Sequence, residues 1–219
     1  MIDNQYRFIN LNKANFYGTG KFDVPELQPE HIDVSHLEWI PFNYAKTAKD
    51  RSEKGVHFYI DDYQFERVWQ RADDYIPMLQ EFGAVCQPDF SIYLEMPLSV
   101  QIYQHFRKQW IGAYWQMHGI HVIPSICWCG DQSFDWCLDG VPKQSLVSIA
   151  SIGTQSDPIE KACFAKYYRR AIELLDPSEI LWYGICPEEF DWNVIKIKPH
   201  YKDIEERRHA HEQKGNRID

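Results

Sequence analysis

Val56-His57-Phe58-Tyr59-Ile60 is an apolar run that stops abruptly at Asp61-Asp62. Two later stretches repeat the pattern. Ala84-Val85-Cys86-Gln87-Pro88 stops at Asp89-Phe90-Ser91, and Leu146-Val147-Ser148-Ile149-Ala150 stops at Ser151-Ile152-Gly153-Thr154. Runs this short, rich in β-branched and aromatic residues, read as buried strands. Each is followed by a stretch with helical spacing. Strands separated by helices pair in parallel, because the chain must cross over between them. In such a fold all strand ends point to one face, which is where these folds bind ligands and do chemistry.

The same rhythm extends outward. Leu37-Glu38-Trp39-Ile40-Pro41-Phe42 is a first strand that ends near Asn43. A helical stretch from about 63 to 82 follows the strand at 56–60, with Pro77 as a break. The clearest helix spans about 97 to 118. Pro97 fits its first turn, Val100, Tyr103, Phe106, Trp110, Ile111 and Tyr114 recur at three- and four-residue steps, and Gly119 stops it. Ile120–Ile126 reads as a strand leading to Cys127-Trp128-Cys129. Asp157-Pro158 opens a further helix as cap and first turn, with Ile159, Cys163, Tyr167 and Ile172 on its apolar face. Ile180–Gly184 and the weaker Val194–Ile197 are the last strands. About seven strands result from this template. The expected fold is α/β, with a reduced or irregular TIM-like barrel favoured over an open doubly wound sheet. Nearly every strand ends in a polar residue, as loops all round a ring would require. Residues 1–35 read as an N-terminal arm, 36–200 as a single α/β domain, and 201–219 as a charged helix or tail.

Composition narrows the function classes. Of 219 residues, 44% are hydrophobic and 25% charged, the balance of a folded globular domain. The net charge of −9 opposes non-specific coating of DNA, while Lys161, Lys166, Arg169 and Arg170 leave room for a local basic patch. Six cysteines without a signal-like N-terminus fit free thiols in a reducing cytoplasm. No apolar run is long enough to span a bilayer, so no membrane partner is expected. The 8 Trp and 13 Tyr either fill the core or stack on a flat ligand.

Several motifs, taken together, resemble a known family. They are Gly55–Glu66, Pro88-Asp89-Phe90-Ser91-Ile92-Tyr93, Gln101-Ile102-Tyr103, Trp110–Trp115, Gly119–Pro124 and Ser151-Ile152-Gly153-Thr154. The family is domain of unknown function 4417, an uncharacterised group from phages and mobile elements of bacteria. The likeness covers about 40 to 185 and is specific as an ordered set. It implies a phage or mobile-element setting and brings no reaction or catalytic residues.

The candidate catalytic residues are Asp61, Asp62 and Asp89. Neighbouring strand residues face opposite ways, so one of the Asp61-Asp62 pair can join Asp89 for acid–base work or for Mg²⁺. Alternatively these acids cap a helix or a turn. Ser151, Gly153 and Thr154 offer hydroxyls and backbone N–H groups that can cradle a phosphate, or a plain helix cap. Asn43 and Ser91 border the same predicted face, and Trp128 and Tyr183 can stack on a base or simply pack. Cys127, Cys129 and Cys137 match no standard zinc spacing, and no metal site is assigned. His57 and His121 read as core histidines. The expected ligand is a small molecule, a nucleotide, a nucleobase or a nucleic-acid end. If the protein is an enzyme, it is a hydrolase or transferase at a glycosidic or phosphate bond. The alternative is a noncatalytic binder that sequesters a host signalling nucleotide or docks on a host protein.

Overall fold

The computed structural model describes residues 4–187, 189–190 and 192–197; the predicted tail at 201–219 lies outside the described residues. The chain is mixed α/β, with parallel strands alternating with helices. A small antiparallel pair, β1 (Gly18–Thr19) and β2 (Val24–Pro25), precedes the main body. Then come β3 (Glu38–Pro41), the short helix α1 (Phe42–Ala45), β4 (Lys54–His57), α2 (Arg67–Gln70), α3 (Ala72–Leu79) and β5 (Ala84–Cys86). They are followed by α4 (Leu98–Met117), β6 (Val122–Ile123), β7 (Leu146–Ala150), α5 (Pro158–Leu175), β8 (Glu179–Tyr183) and β9 (Val194–Ile197).

The strands are ordered β3-β4-β5-β6 in one sheet and β7-β8-β9 in a second, every neighbouring pair parallel. A single parallel bridge, Ser125 to Ser148, joins the two. Spatial order therefore follows chain order without reversal, unlike the doubly wound arrangement, in which order reverses at a switch point. The sheets also curl. Three strands separate β4 from β8, which in a flat sheet puts them roughly 19 Å apart. Yet the ring of His57 lies 4.5 Å from that of Tyr183, and the Tyr59 ring 5.1 Å from it.

Several boundaries differ from the sequence reading. The strand predicted at 56–60 ends at His57, because Ile60 N–H turns back to the Phe58 carbonyl. The helix predicted over 63–82 is broken into a 3₁₀ turn at Asp62–Gln64 and the two helices α2 and α3. α4 buries Trp110, Ile111 and Tyr114 of its predicted face, but not the first turns of that face. Val100 and Tyr103 are exposed, while Gln101, His105, Lys108 and every residue from Gln109 to Trp115 are buried. α5 buries Ile172 as expected, but Ile159 and Cys163 are exposed, and Phe164, Tyr168, Ala171 and Leu175 complete the buried face. The Asp157 cap is as expected, its carboxylate accepting from the Ile159 and Glu160 N–H groups.

The segment before β3 runs across the amino ends of the strands. Glu30 O accepts from Leu146 N–H, the first residue of β7, and Glu30 Oε1 from Val122 N–H, the first of β6. Val34 and Leu37 join a core cluster with Ala84, Cys86, Ile123, Leu146 and Leu181. That end of the sheet is filled with apolar side chains, so an open cavity belongs at the other.

Candidate functional site at the strand ends

The cavity at the carboxyl end of the strands has a volume of about 590 Å³. Its acids are Asp61 and Asp62 after β4 and Asp89 after β5. Tyr59, Tyr63 and Tyr93 supply rings, Ser91 a hydroxyl, and Phe58, Ile60, Met96, Ala150 and Ile152 apolar wall. No lysine, arginine or histidine lines it.

Asp62 is held rigidly. Its two carboxylate oxygens accept from the Ser91 N–H at 3.0 Å and the Ser91 hydroxyl at 2.7 Å. It thereby ties the loop after β4 to the loop after β5. Asp61 is exposed and accepts a long 3.4 Å bond from Gln64. It stands at the N-cap position of the 3₁₀ turn but makes no capping bond.

Asp89 differs from both. Its Oδ1 is shut off from solvent and accepts no hydrogen bond within the described residues. Burial pushes its pKa up to about 6; the Lys108 ammonium pulls it back, the Asp62 charge adds to the rise, and a hydrogen bond from the Cys127 thiol to the carboxylate also lowers it. Such a carboxyl exchanges a proton close to neutral pH, which is what an acid–base group needs.

Lys108 is the part of this site that sequence reasoning missed. It projects from α4, is 1% exposed, and donates to the Ser125 carbonyl at 2.8 Å and to Cys127 Sγ at 3.0 Å. Burial alone would lower its pKa, but Cys127 and Asp89 beside it hold it above its ordinary value. Cys127 stays a thiol, pushed up to about 11 by burial. The Ser125 and Ser148 hydroxyls, 3.0 Å apart, continue this buried polar layer. Beside them lies the Tyr59 phenol, whose pKa burial raises well above its ordinary value.

The other predicted residues are dispersed around the cavity. Tyr183 packs its ring on Tyr59 and His57 behind the cavity wall. Ser151 donates to the Ile185 carbonyl and accepts from the Trp182 indole, so its hydroxyl is engaged internally. Thr154 bonds back to the Ser151 carbonyl, and Gly153 is an exposed turn residue with φ +80°. Only Ile152 of that loop lines the cavity. Trp128 packs between Phe134 and Phe164, away from the cavity lining. Asn43 lines a neighbouring groove and donates to Gln64. His57 is buried as expected, whereas His121 is exposed and meets Glu30.

Among the described residues no three His, Cys, Asp or Glu side chains are grouped to hold a metal ion. All six cysteines are free thiols. Asp62 and Asp89 could together offer Mg²⁺ two carboxylates, the remaining ligands coming from water or a bound phosphate. No helix among the described residues is long and apolar enough to cross a membrane.

The model of the family described as "Domain of unknown function (DUF4417)" matches residues 16–202. The chain belongs to this family. Two similar proteins are both described as "Gene 1 protein". One, from Mycobacterium phage L5, is 34% identical over 203 residues, covering 91% of this chain and 87% of the relative. The other, from Mycobacterium phage D29, is 31% identical over 208 residues, covering 91% of this chain and 74% of the relative. No solved structure matches this DUF4417 protein.

Proposed function

We propose that this DUF4417 protein is a phage or mobile-element protein that binds a nucleotide, nucleobase or nucleic-acid end in the cavity at its strand ends. There it carries out acid–base chemistry, with Asp89 as the proton-transferring group. The observation that carries the proposal is Asp89 itself: it lines the cavity, its Oδ1 is buried without a partner, and its pKa is raised to about 6. A buried polar atom without a partner costs stability, and Asp89 is one of the few such groups among the described residues that also line the cavity, where a ligand can supply the missing donor. Asp62, fixed by Ser91, would accept from ligand N–H groups, and Tyr63 and Tyr93 would cover a flat ring. The family match and the two mycobacteriophage relatives support the phage setting.

The sequential order of the parallel strands and the contact between His57 and Tyr183 support a reduced TIM-like barrel. In that fold the loops after the strands form the reaction site.

A thermal-shift panel of nucleobases, nucleosides and nucleotides, with and without Mg²⁺, tests this reading, since a ligand raises the melting temperature of the state it binds. The expected result is a shift by at least one of these compounds that is lost in Asp89→Asn. No shift by any of them removes the reading. Mass spectrometry of the ligand released after incubation separates the two classes. An altered ligand marks an enzyme, and an intact one marks the sequestering binder.

A further inference from the structure

The cavity has three carboxylates and no cation in its lining. Those carboxylates suit the N–H donors of a base or an amine and repel a phosphate. A nucleotide therefore needs a second, basic surface for its phosphate.

A basic groove lies on the helices that follow β3 and β4. It has a volume of about 620 Å³ and is lined by Lys46, Arg51, Arg67 and Arg71, with Phe42, Tyr75 and Met78 as its apolar parts and Asp74 as its acid. Arg51 is paired with Glu81 and Arg71 with Asp74. Lys46 and Arg67 are exposed and have no ion pair among the described residues. The Arg67 guanidinium lies 5.3 Å from the Phe42 ring centre, which steadies it while its N–H groups stay available. In the basic stretch singled out from sequence, Lys166 and Arg170 both turn to Asp131, while Lys161 and Arg169 stay exposed on α5, with neither named in the cavity lining. The groove and the cavity also share a physical link. Asn43, in the groove, donates to Gln64 at 3.0 Å, and Gln64 donates to Asp61, in the cavity.

We infer that the groove at Lys46 and Arg67 is a phosphate-binding annex to the carboxylate cavity, so that one nucleotide or nucleic-acid end spans both, its base in the cavity and its phosphate in the groove. The inference rests on the reading of the cavity proposed above. It adds the ligand class: a phosphate-bearing nucleoside, in preference to a free base or nucleoside.

The test compares deoxynucleoside 5′-monophosphates with the matching deoxynucleosides by isothermal titration, first without and then with Mg²⁺, on the wild type and on a Lys46→Ala/Arg67→Ala variant. Both side chains are on the surface, so the variant is expected to fold. In the wild type the nucleotide should bind roughly tenfold or more tightly than its nucleoside, from two charge-assisted contacts. The double variant should erase that difference and leave nucleoside binding unchanged. It should also flatten the salt dependence of nucleotide binding. Equal binding of nucleotide and nucleoside by the wild type would overturn the annex while the cavity reading stands. So would a difference that survives in the double variant, or nucleotide binding that appears only with Mg²⁺. Failure of every nucleoside and nucleotide to bind the wild type would overturn both.

Discussion

At the scale of single residues the site is a balance between two buried charges. Asp89 titrates at about 6 in the fold, against 3.8 in water. The folded chain therefore holds this proton where the unfolded chain has released it. Between about pH 4 and 6 its contribution to stability falls as pH rises, and above that window the ionised carboxylate is a net cost. Binding of an N–H donor has the opposite sign and strengthens as pH rises through about 6. Across about pH 4–8, chemical denaturation should show the wild type losing stability relative to Asp89→Asn through that window, and ligand titration a rise in affinity that Asp89→Asn lacks. Lys108 is the counterweight. Lys108→Met leaves the Ser125 carbonyl without its donor and Asp89 without its neighbouring cation. The expected loss is about 2–5 kcal/mol in urea unfolding, with the Asp89 midpoint moved above its present value. Unchanged stability and an unmoved midpoint would show that the two charges do not communicate.

At the scale of elements, what the sequence disclosed and what it withheld have separate physical causes. The strand ends were legible because each apolar run has an acid or a small polar residue immediately after it. Asp61, Asp62, Asp89 and Ser91 consequently line the cavity or lock its walls. Lys108 was not legible. A lysine in a helix usually belongs to the solvated face, and the aromatic spacing of α4 suggested a face through Val100 and Tyr103. The helix instead has two buried sides. Trp110 and Tyr114 pack outward under α2 and α3, with Trp110 against Trp69 and the Tyr114 hydroxyl on Asp73. Gln101, His105 and Lys108 form the other seam, at i, i+4 and i+7. Gln101 bonds the Tyr93 and Met96 carbonyls and His105 the Asp139 carbonyl. The usable signal was that seam of long polar side chains within a helix already supplied with apolar residues on its other faces. The Ser151–Thr154 loop left two readings open from sequence, since hydroxyls after a strand can serve a ligand or close the loop on itself; in the structure both hydroxyls bond within the protein. The strap before β3 gives an element-scale prediction. Gly140 has φ +77° and its carbonyl accepts from Leu27 N–H. A Cβ there would meet the Pro25 carbonyl oxygen at 2.2 Å. Gly140→Ala should cost about 2 kcal/mol or more and expose residues 18–34 to limited proteolysis. Wild-type resistance would mean that the strap is held elsewhere.

At the scale of the whole molecule the chain separates packing from chemistry by the direction of its strands. The amino ends are filled by Val34 and Leu37 and closed over by the strap around Glu30. The carboxyl ends carry the cavity, the acids and the tyrosines. Curling brings β4 and β8 together through His57 and Tyr183, which backs the cavity with a ring-lined wall. Such a division lets the site keep costly groups because the rest of the body supplies the stability. Asp89 embodies that cost, and one variant reads it most directly. Asp89→Asn should be compared with the wild type at pH 7.5, both in unfolding free energy and in affinity for the tightest-binding nucleoside or nucleotide of the panel. The account predicts stability equal to or above wild type together with at least a roughly tenfold loss of affinity. A variant that loses about 0.5–2 kcal/mol of stability and keeps its affinity would make Asp89 a structural cap and contradict the account.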